Sequence, residues 1–357
     1  MFRYLISFSF FIISFSSVLQ ANETEFYFDA NLYGHSQTSS ITQIVLDEFE
    51  GEDFDGGEHS FTHNIWEIGG VYKGLKLAAV ARYDYTLNYT EDVAELVFRE
   101  KNDKPIETNR TYDLYLDVLH MRSTGLKLGY QYKVNNDIKI SADASWLQVT
   151  SYMQGFIDGR VEVTDDDYVG DIALDYVYSK DKLLDRIARR PKGYGYTLDF
   201  HVQSKLTDSL ALSISFLDVV NEITIKEAPY TAANATSNRL SISPEGLIDV
   251  KPILTGVEDY HDHRLKLEPR YDAEFLYGFD ELWDVYAGVF HYDDYTYPSL
   301  GFGYKVTESL GVKTVIDLKT QALELNLQSQ AWNVGLISDD FNLNDARTFG
   351  LSWSLRY

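Results

Sequence analysis

The chain has 357 residues with no cysteine, 31 Lys and Arg against 55 Asp and Glu, and 27 Tyr and 20 Phe against only 7 Pro. The lack of cysteine excludes a disulfide scaffold, thiolate metal centres and a thiol nucleophile. A net charge of -24 argues against a nucleic-acid binder, which needs basic residues to neutralise phosphates.

Residues 1–21 are expected to be a cleaved export signal. Arg3 precedes an apolar run from Tyr4 to Phe15, and Ala21 suits the last position before the cut. The remainder, 22–357, contains no second apolar run long enough for a spanning helix. It alternates with period two instead. Leu75, Leu77, Ala79, Ala81, Tyr83, Tyr85 and Leu87 share one face, opposite Lys76, Arg82, Asp84, Thr86 and Asn88. Leu126, Leu128, Tyr130, Tyr132 and Val134 repeat the pattern against Lys127 and Lys133. The stretch from Arg264 sets Leu265, Leu267, Tyr271, Ala273, Phe275 and Tyr277 against Arg264, Lys266, Glu268, Arg270, Asp272 and Glu274.

Alternation over 8 to 14 residues, with aromatics at the ends of the apolar faces, predicts strands that turn one side to lipid and the other to a lumen. In a bilayer only a closed barrel leaves no sheet edge unpaired. Three connections are variants of one tight turn: 133–138, 205–210 and 305–310, each opening on Lys and closing on Ile or Leu. With these turns and the C-terminus on the periplasmic side, strands are expected at 24–35, 64–73, 75–90, 112–133, 137–153, 194–206 and 209–224. A further seven are expected at 264–277, 281–292, 297–306, 309–319, 322–329, 331–338 and 347–357. The fold class is therefore all-β, a transmembrane antiparallel up-and-down barrel of about 14 strands, with long extracellular loops and one short helical insert. Sixteen strands result if 112–133 hides a turn near Arg122 and 166–178 is a strand.

The long connections are expected at 37–62, 91–110, 155–192 and 226–262. Within the third, 180–192 has helical spacing at Leu183, Leu184 and Ile187 and a crowd of basic residues, with Pro191 and Gly193 to end it. It is read in three ways: a constriction folded into the lumen through Arg186, Arg189 and Arg190, a contact to anionic lipid headgroups, or a loop cap. Residues 155–192 as a whole are a candidate plug or loop insert. The acid excess gathers in 37–62, where Asp47, Glu48, Glu50, Glu52, Asp53 and Asp55 are weak candidates for a divalent cation; no metal site is otherwise expected. His59 and His63 are four apart and are expected in a loop, with no helix to align them on a metal. No cofactor is expected.

At the C-terminus Phe349, Leu351, Trp353, Leu355 and Tyr357 alternate with Gly350, Ser352, Ser354 and Arg356. This resembles the terminal strand of Gram-negative outer-membrane barrel proteins. The resemblance implies residence in the bacterial outer membrane, contact with its lipid and lipopolysaccharide, and insertion by the barrel-assembly machinery after escort by periplasmic chaperones. The unit from Gly193 to Asp199 and from Lys205 to Asp218 resembles the strand–turn–strand of the long-chain fatty-acid transporters, though Phe26 enters a strand with no N-terminal hatch before it.

The leading expectation is a passive, plug-restricted channel for small polar or amphiphilic solutes, with the lumen candidates Arg186, Arg189, Arg190, Arg264, Lys266, Glu268, Arg270, Asp272 and Glu274. A surface structural or adhesion barrel acting through acidic loops is one alternative. The other is a barrel hydrolase, because Tyr260-His261-Asp262-His263 with Asp84 resembles the paired Asp and His of outer-membrane proteases. No catalytic residue is expected on the leading reading.

Overall fold

A computed structural model describes residues 24–46, 56–165, 168–181, 186–237, 240–242, 248–250 and 253–357. The export signal and the six acidic candidates from Asp47 to Asp55 lie outside the described residues. Strands run in chain order as β1 (Thr24–Ser36), β2 (His59–Tyr72), β3 (Leu75–Tyr89), β4 (Arg110–Lys133), β5 (Ile138–Val163), β6 (Tyr168–Tyr178), β7 (Gly193–Lys205), β8 (Leu210–Thr236), β9 (Leu240–Ile242) and β10 (Ile248–Val250). They continue as β11 (Ile253–Leu265), β12 (Arg270–Gly278), β13 (Trp283–Tyr292), β14 (Tyr295–Thr307), β15 (Leu310–Asp317), β16 (Leu323–Ser329), β17 (Trp332–Ser338) and β18 (Thr348–Arg356). Two helices, α1 (Ile41–Leu46) and α2 (Glu91–Lys101), sit in the connections after β1 and β3. Neither is long and apolar enough to cross a membrane.

All pairings are antiparallel, and the sheet closes on itself. β1 to β5, then β7, β8, and β12 to β18 form a ring of fourteen strands, closed where β18 pairs with β1 from Tyr27–Arg356 to His35–Thr348. The last residue completes the seam: Phe26 and Tyr357 exchange backbone hydrogen bonds of 2.8 and 2.9 Å. The four remaining long or short strands do not add positions to this ring. β6 continues the line of β7 along β5 and β8, and β11 continues the line of β12 along β8; β9 and β10 form a separate hairpin.

The fourteen expected strands are therefore present, and the strand-like stretch expected at 166–178 is a strand over its described residues, 168–178, without raising the number to sixteen. β4 shows no hidden turn at Arg122; it runs through with a bulge between Arg122 and Ser123. Much of two expected loops is wall. Residues 155–163 and 168–178 belong to β5 and β6, and 226–236 and 253–262 belong to β8 and β11, so 155–192 is not a plug over those spans. His59 and His63 lie in β2, where a loop was expected. The expected helix at 180–192 is absent among its described residues, 180–181 and 186–192, and both observed helices lie elsewhere.

The repeated turns share a mechanism. Asn135, Thr207 and Thr307 hold the same position in each, and each side-chain oxygen accepts a backbone N–H two residues on, at 2.9, 3.3 and 3.2 Å. Asp280 does the same for the β12–β13 turn through Leu282 N–H at 2.8 Å. Outside, Leu77, Leu126, Leu128, Trp146 and Phe302 are among the most exposed apolar side chains, Phe302 at 64%. A soluble protein would bury these; here they form the lipid-facing surface of a transmembrane barrel.

Candidate functional site

The interior is packed rather than open. Two ionic clusters arise from the polar faces of the strands. In the first, Lys127 donates to Glu67 and, at 3.3 Å, to Asp199, while Lys76 reaches Asp143 at 2.9 Å and Glu67 at 3.3 Å. In the second, the Arg82 guanidinium takes both oxygens of Asp218 at 2.6 and 2.9 Å and both oxygens of Asp84 at 3.1 and 3.2 Å. Arg270 donates to the same Asp218 at 2.6 Å. The Asp218 backbone N–H donates to Asp199 at 2.9 Å, so one carboxylate network links both clusters. Buried charges need this degree of pairing, because an isolated ion in such surroundings is severely destabilising.

Beside these charges lies an apolar cluster formed by inward side chains that include Val80, Met121, Leu147, Tyr152, Ile223 and Leu265. A second cluster, toward the end opposite the three repeated turns, is aromatic: Phe61, Tyr292 and Tyr297 with Tyr33, Phe290 and Tyr295 against them. Phe61 and Tyr292 have ring centroids 5.1 Å apart, and Thr86 shares a 2.6 Å hydrogen bond with the Tyr292 hydroxyl. β2 and β13 are diametrically opposed, with six strands between them whichever way the ring is followed. A circular ring of this size would separate opposite walls by roughly 28 Å, from strand spacing and tilt. Ring contact between them means that the barrel is flattened here and shut by side chains. Three buried polar atoms in and beside this seam, His59 Nε2, His63 Nε2 and the Tyr297 hydroxyl, take no hydrogen-bond partner.

At the end of the three repeated turns a cavity of about 470 Å³ opens, bordered by Lys133, Lys139, Gln203, Lys205 and Glu274. A small void of about 10 Å³ lies at His63, Arg82 and Arg270. Among the described residues no group of His, Asp and Glu is arranged to hold a metal ion.

The expected lumen set divides. Arg270 and Glu274 face inward, the latter paired with Lys313, and Asp272 shares their side of β12. Arg264, Lys266 and Glu268 do not join them on one continuous face, because the strand breaks over 266–269 at Pro269. Leu265 and Leu267 fold into the interior core and are only 1% and 3% exposed, while Arg264 takes the opposite, outward face with Thr224 and Tyr194. Asn221 patches the break, donating to Leu267 C=O at 3.0 Å and accepting from Leu267 N–H at 2.9 Å.

The constriction expected from Arg186, Arg189 and Arg190 is not formed. Arg186 reaches the Tyr178 hydroxyl at 3.3 Å and Glu258 at 3.1 Å, and Arg189 pairs with Glu227 at 3.3 Å. Tyr178 alternates with Val177, which belongs to the interior core, so these arginines lie on the outer face. Arg190 is exposed. The residues proposed for hydrolysis are dispersed as well. His263 contacts Gln154 at 2.9 Å, His261 packs on Tyr230, and Asp262 accepts from Glu227 N–H, whereas Asp84 is held by Arg82 and His63. Phe349, Leu351, Trp353 and Leu355 line the outer side of β18, and Tyr357 is 87% exposed at its end.

Sequence reasoning missed Glu67 and Asp218. Each is a lone acid in an apolar run, Trp66-Glu67-Ile68 and Phe216-Leu217-Asp218-Val219-Val220, and that isolation marks an ion in need of a buried partner. Asp218 also sits at positive φ, 57°, where β8 bulges against β7.

No protein-family model matches the chain, and no curated protein does. Among solved structures it is similar to a TodX deltaS2S3 mutant monoaromatic hydrocarbon channel, at 10% identity over 94% of this chain and 90% of that one, with a TM-score of 0.49. It is also similar to the P. putida toluene transporter TodX (9% identity, 94% and 88% covered, TM-score 0.42). A third is a Pseudomonas aeruginosa FadL homologue (11% identity, 93% and 88% covered, TM-score 0.27).

Proposed function

We propose that this is an outer-membrane channel in its closed state, passing small amphiphilic or apolar solutes through an interior that side chains open and shut. The observation that carries the reading is the aromatic seam between opposed strands β2 and β13. No backbone ladder joins those walls, so rotamer changes and a modest relaxation of the flattened section would part them. The unpartnered atoms of His59, His63 and Tyr297 favour that parting, since each buried group without a partner costs about 1–3 kcal/mol and would be hydrated in an open passage. The solute class follows from the lining. Beside the internally paired charges, an inward cluster rich in Val, Leu and Ile with Met121 gives the apolar part of a solute a surface to pass over.

The test is flux. With no native cysteine, Phe61→Cys and Tyr292→Cys give two unique thiols that a short reducible bismaleimide can bridge. Liposomes carrying the double variant should admit the fluorescent amphiphile N-phenyl-1-naphthylamine faster than empty liposomes, lose that advantage on bridging, and regain it on reduction. Flux equal to that of empty liposomes before bridging would sink the proposal.

A second reading, a purely structural barrel, is favoured by the Arg82–Asp218–Arg270 brace across the interior. It predicts that Phe61→Ala with Tyr297→Ala leaves the liposomes as tight as before.

A further inference from the structure

The described segment 186–192 crosses the outward face of the wall, from Tyr260 of β11, over which the Arg189 guanidinium lies at 5.0 Å, to Gln148 of β5, which Lys192 Nζ reaches at 3.1 Å. Around it stand five exposed cations, Arg190, Lys192, Lys226, Arg264 and Lys266. Lys192 lies one residue beyond the Gly193–Ile225 cross-strand pair, which brings it beside Lys226 on β8, and Arg264 flanks them through its pairing with Thr224. Among the described residues none of the five forms an ion pair with a carboxylate. Of the nearby acids, Glu227 pairs with Arg189 and Glu258 with Arg186, while Asp262 and Glu222 accept from neutral groups, the Glu227 N–H and the Tyr196 hydroxyl, and form no ion pair with the five. Like charges side by side across strands repel. In a chain of net charge -24, where the interior cations are matched to acids, this concentration of unmatched positive charge is anomalous.

Its surroundings indicate what matches it. The next outward residues toward the periplasm are lipid-facing: Trp146 and Leu126 are 58% and 61% exposed, and Val220 on β8 is 46% exposed. The cations thus border the apolar band at its extracellular side, where headgroups lie. Basic clusters at such a border attract anionic lipid headgroups. The acidic remainder of the chain would repel a long polyanion, which leaves a small, doubly charged group already anchored in the adjacent leaflet.

We propose that the outward face of β7, β8 and β11, with the segment 186–192, is a binding site for the phosphorylated headgroup of an outer-leaflet glycolipid of the lipid A type. The purified full barrel in a zwitterionic detergent, examined by native mass spectrometry, should retain bisphosphorylated lipid A about tenfold or more over its dephosphorylated form. The combined substitutions Arg190→Gln, Lys192→Gln, Lys226→Gln, Arg264→Gln and Lys266→Gln should abolish that preference in protein that still shows the heat-modifiable mobility of a folded barrel. Should that variant not fold, Lys192→Gln with Lys226→Gln alone must lower it. Lys73→Gln with Lys133→Gln and Lys305→Gln, at the opposite end of the barrel, should leave it unchanged. The proposal is overturned if wild type does not distinguish the two lipids, if both sets of substitutions act equally, or if millimolar inorganic phosphate displaces the lipid completely.

Discussion

Asp218 gathers two interior arginines on one carboxylate. It holds Arg82 through two bonds and Arg270 through a third, and its backbone N–H holds Asp199. Replacing one partner of a buried ion pair leaves the other charge uncompensated, a loss of about 3–5 kcal/mol. Asp218→Asn should therefore lower the urea midpoint of the folded barrel in detergent by that equivalent, while Lys205→Gln, which ends an exposed pair with Asp208, should leave it nearly unmoved. A gel assay of heat-modifiable mobility across urea measures both. Gly129 has a different role in the same region. A Cβ there would stand 1.8 Å from Asp143 Oδ1, so Gly129→Ala must shift the carboxylate whose other oxygen holds Lys76, and the same assay should show destabilisation. The sequence places Lys76, Lys127, Asp143 and Asp199 on polar faces, because alternation sorts residues by side. It does not say which acid meets which base, since those partners come from strands up to 136 residues apart, as Arg82 and Asp218 do.

At the scale of elements, period two identifies the strands reliably and fails where a strand changes face. Read as one strand, 264–277 puts Leu265 and Leu267 on the side of Tyr271. The break at 266–269 undoes that parity, and the two leucines enter the interior core while Tyr271 faces lipid. Pro269 is the visible signal, for proline removes a ladder donor and marks bulges and strand ends. Asn221 compensates by binding both backbone groups of Leu267. Asn221→Ala should cost about 1–3 kcal/mol, because two buried backbone groups lose their partner at once, and hydrogen exchange should show the loss concentrated at 265–270. Periodicity has the same weakness at 180–192. Its Leu and Ile spacing suits a helix, but Arg186 and Arg189 are drawn instead to Glu258, Glu227 and Tyr260 on neighbouring strands. Tertiary ion pairs outweigh a weak local preference of this kind.

For the whole molecule, the proposed channel function makes the flattened section the barrier to solutes. Planar-bilayer recordings of wild type should show conductance far below that of an open 14-stranded pore. Phe61→Ala, Tyr292→Ala and Tyr297→Ala together should raise it, because they remove the rings that bridge opposed walls. Wild-type conductance as large as that of the triple variant would show that the seam is not the barrier.

The barrel itself was legible in the amino-acid sequence. Alternating faces, side-chain-capped turns and the aromatic C-terminal strand are local patterns, and a membrane admits few solutions to them. Fourteen strand positions, their up-and-down order and the inward side of most charges follow from residues a few places apart. The shut lumen, the shared Asp218, the inward turn of Leu265 and Leu267, and the outward lie of Arg186 and Arg189 do not. Each depends on the distance between opposite walls and on strand breaks that reset parity. Those are properties of the closed ring, which no segment of the chain contains by itself.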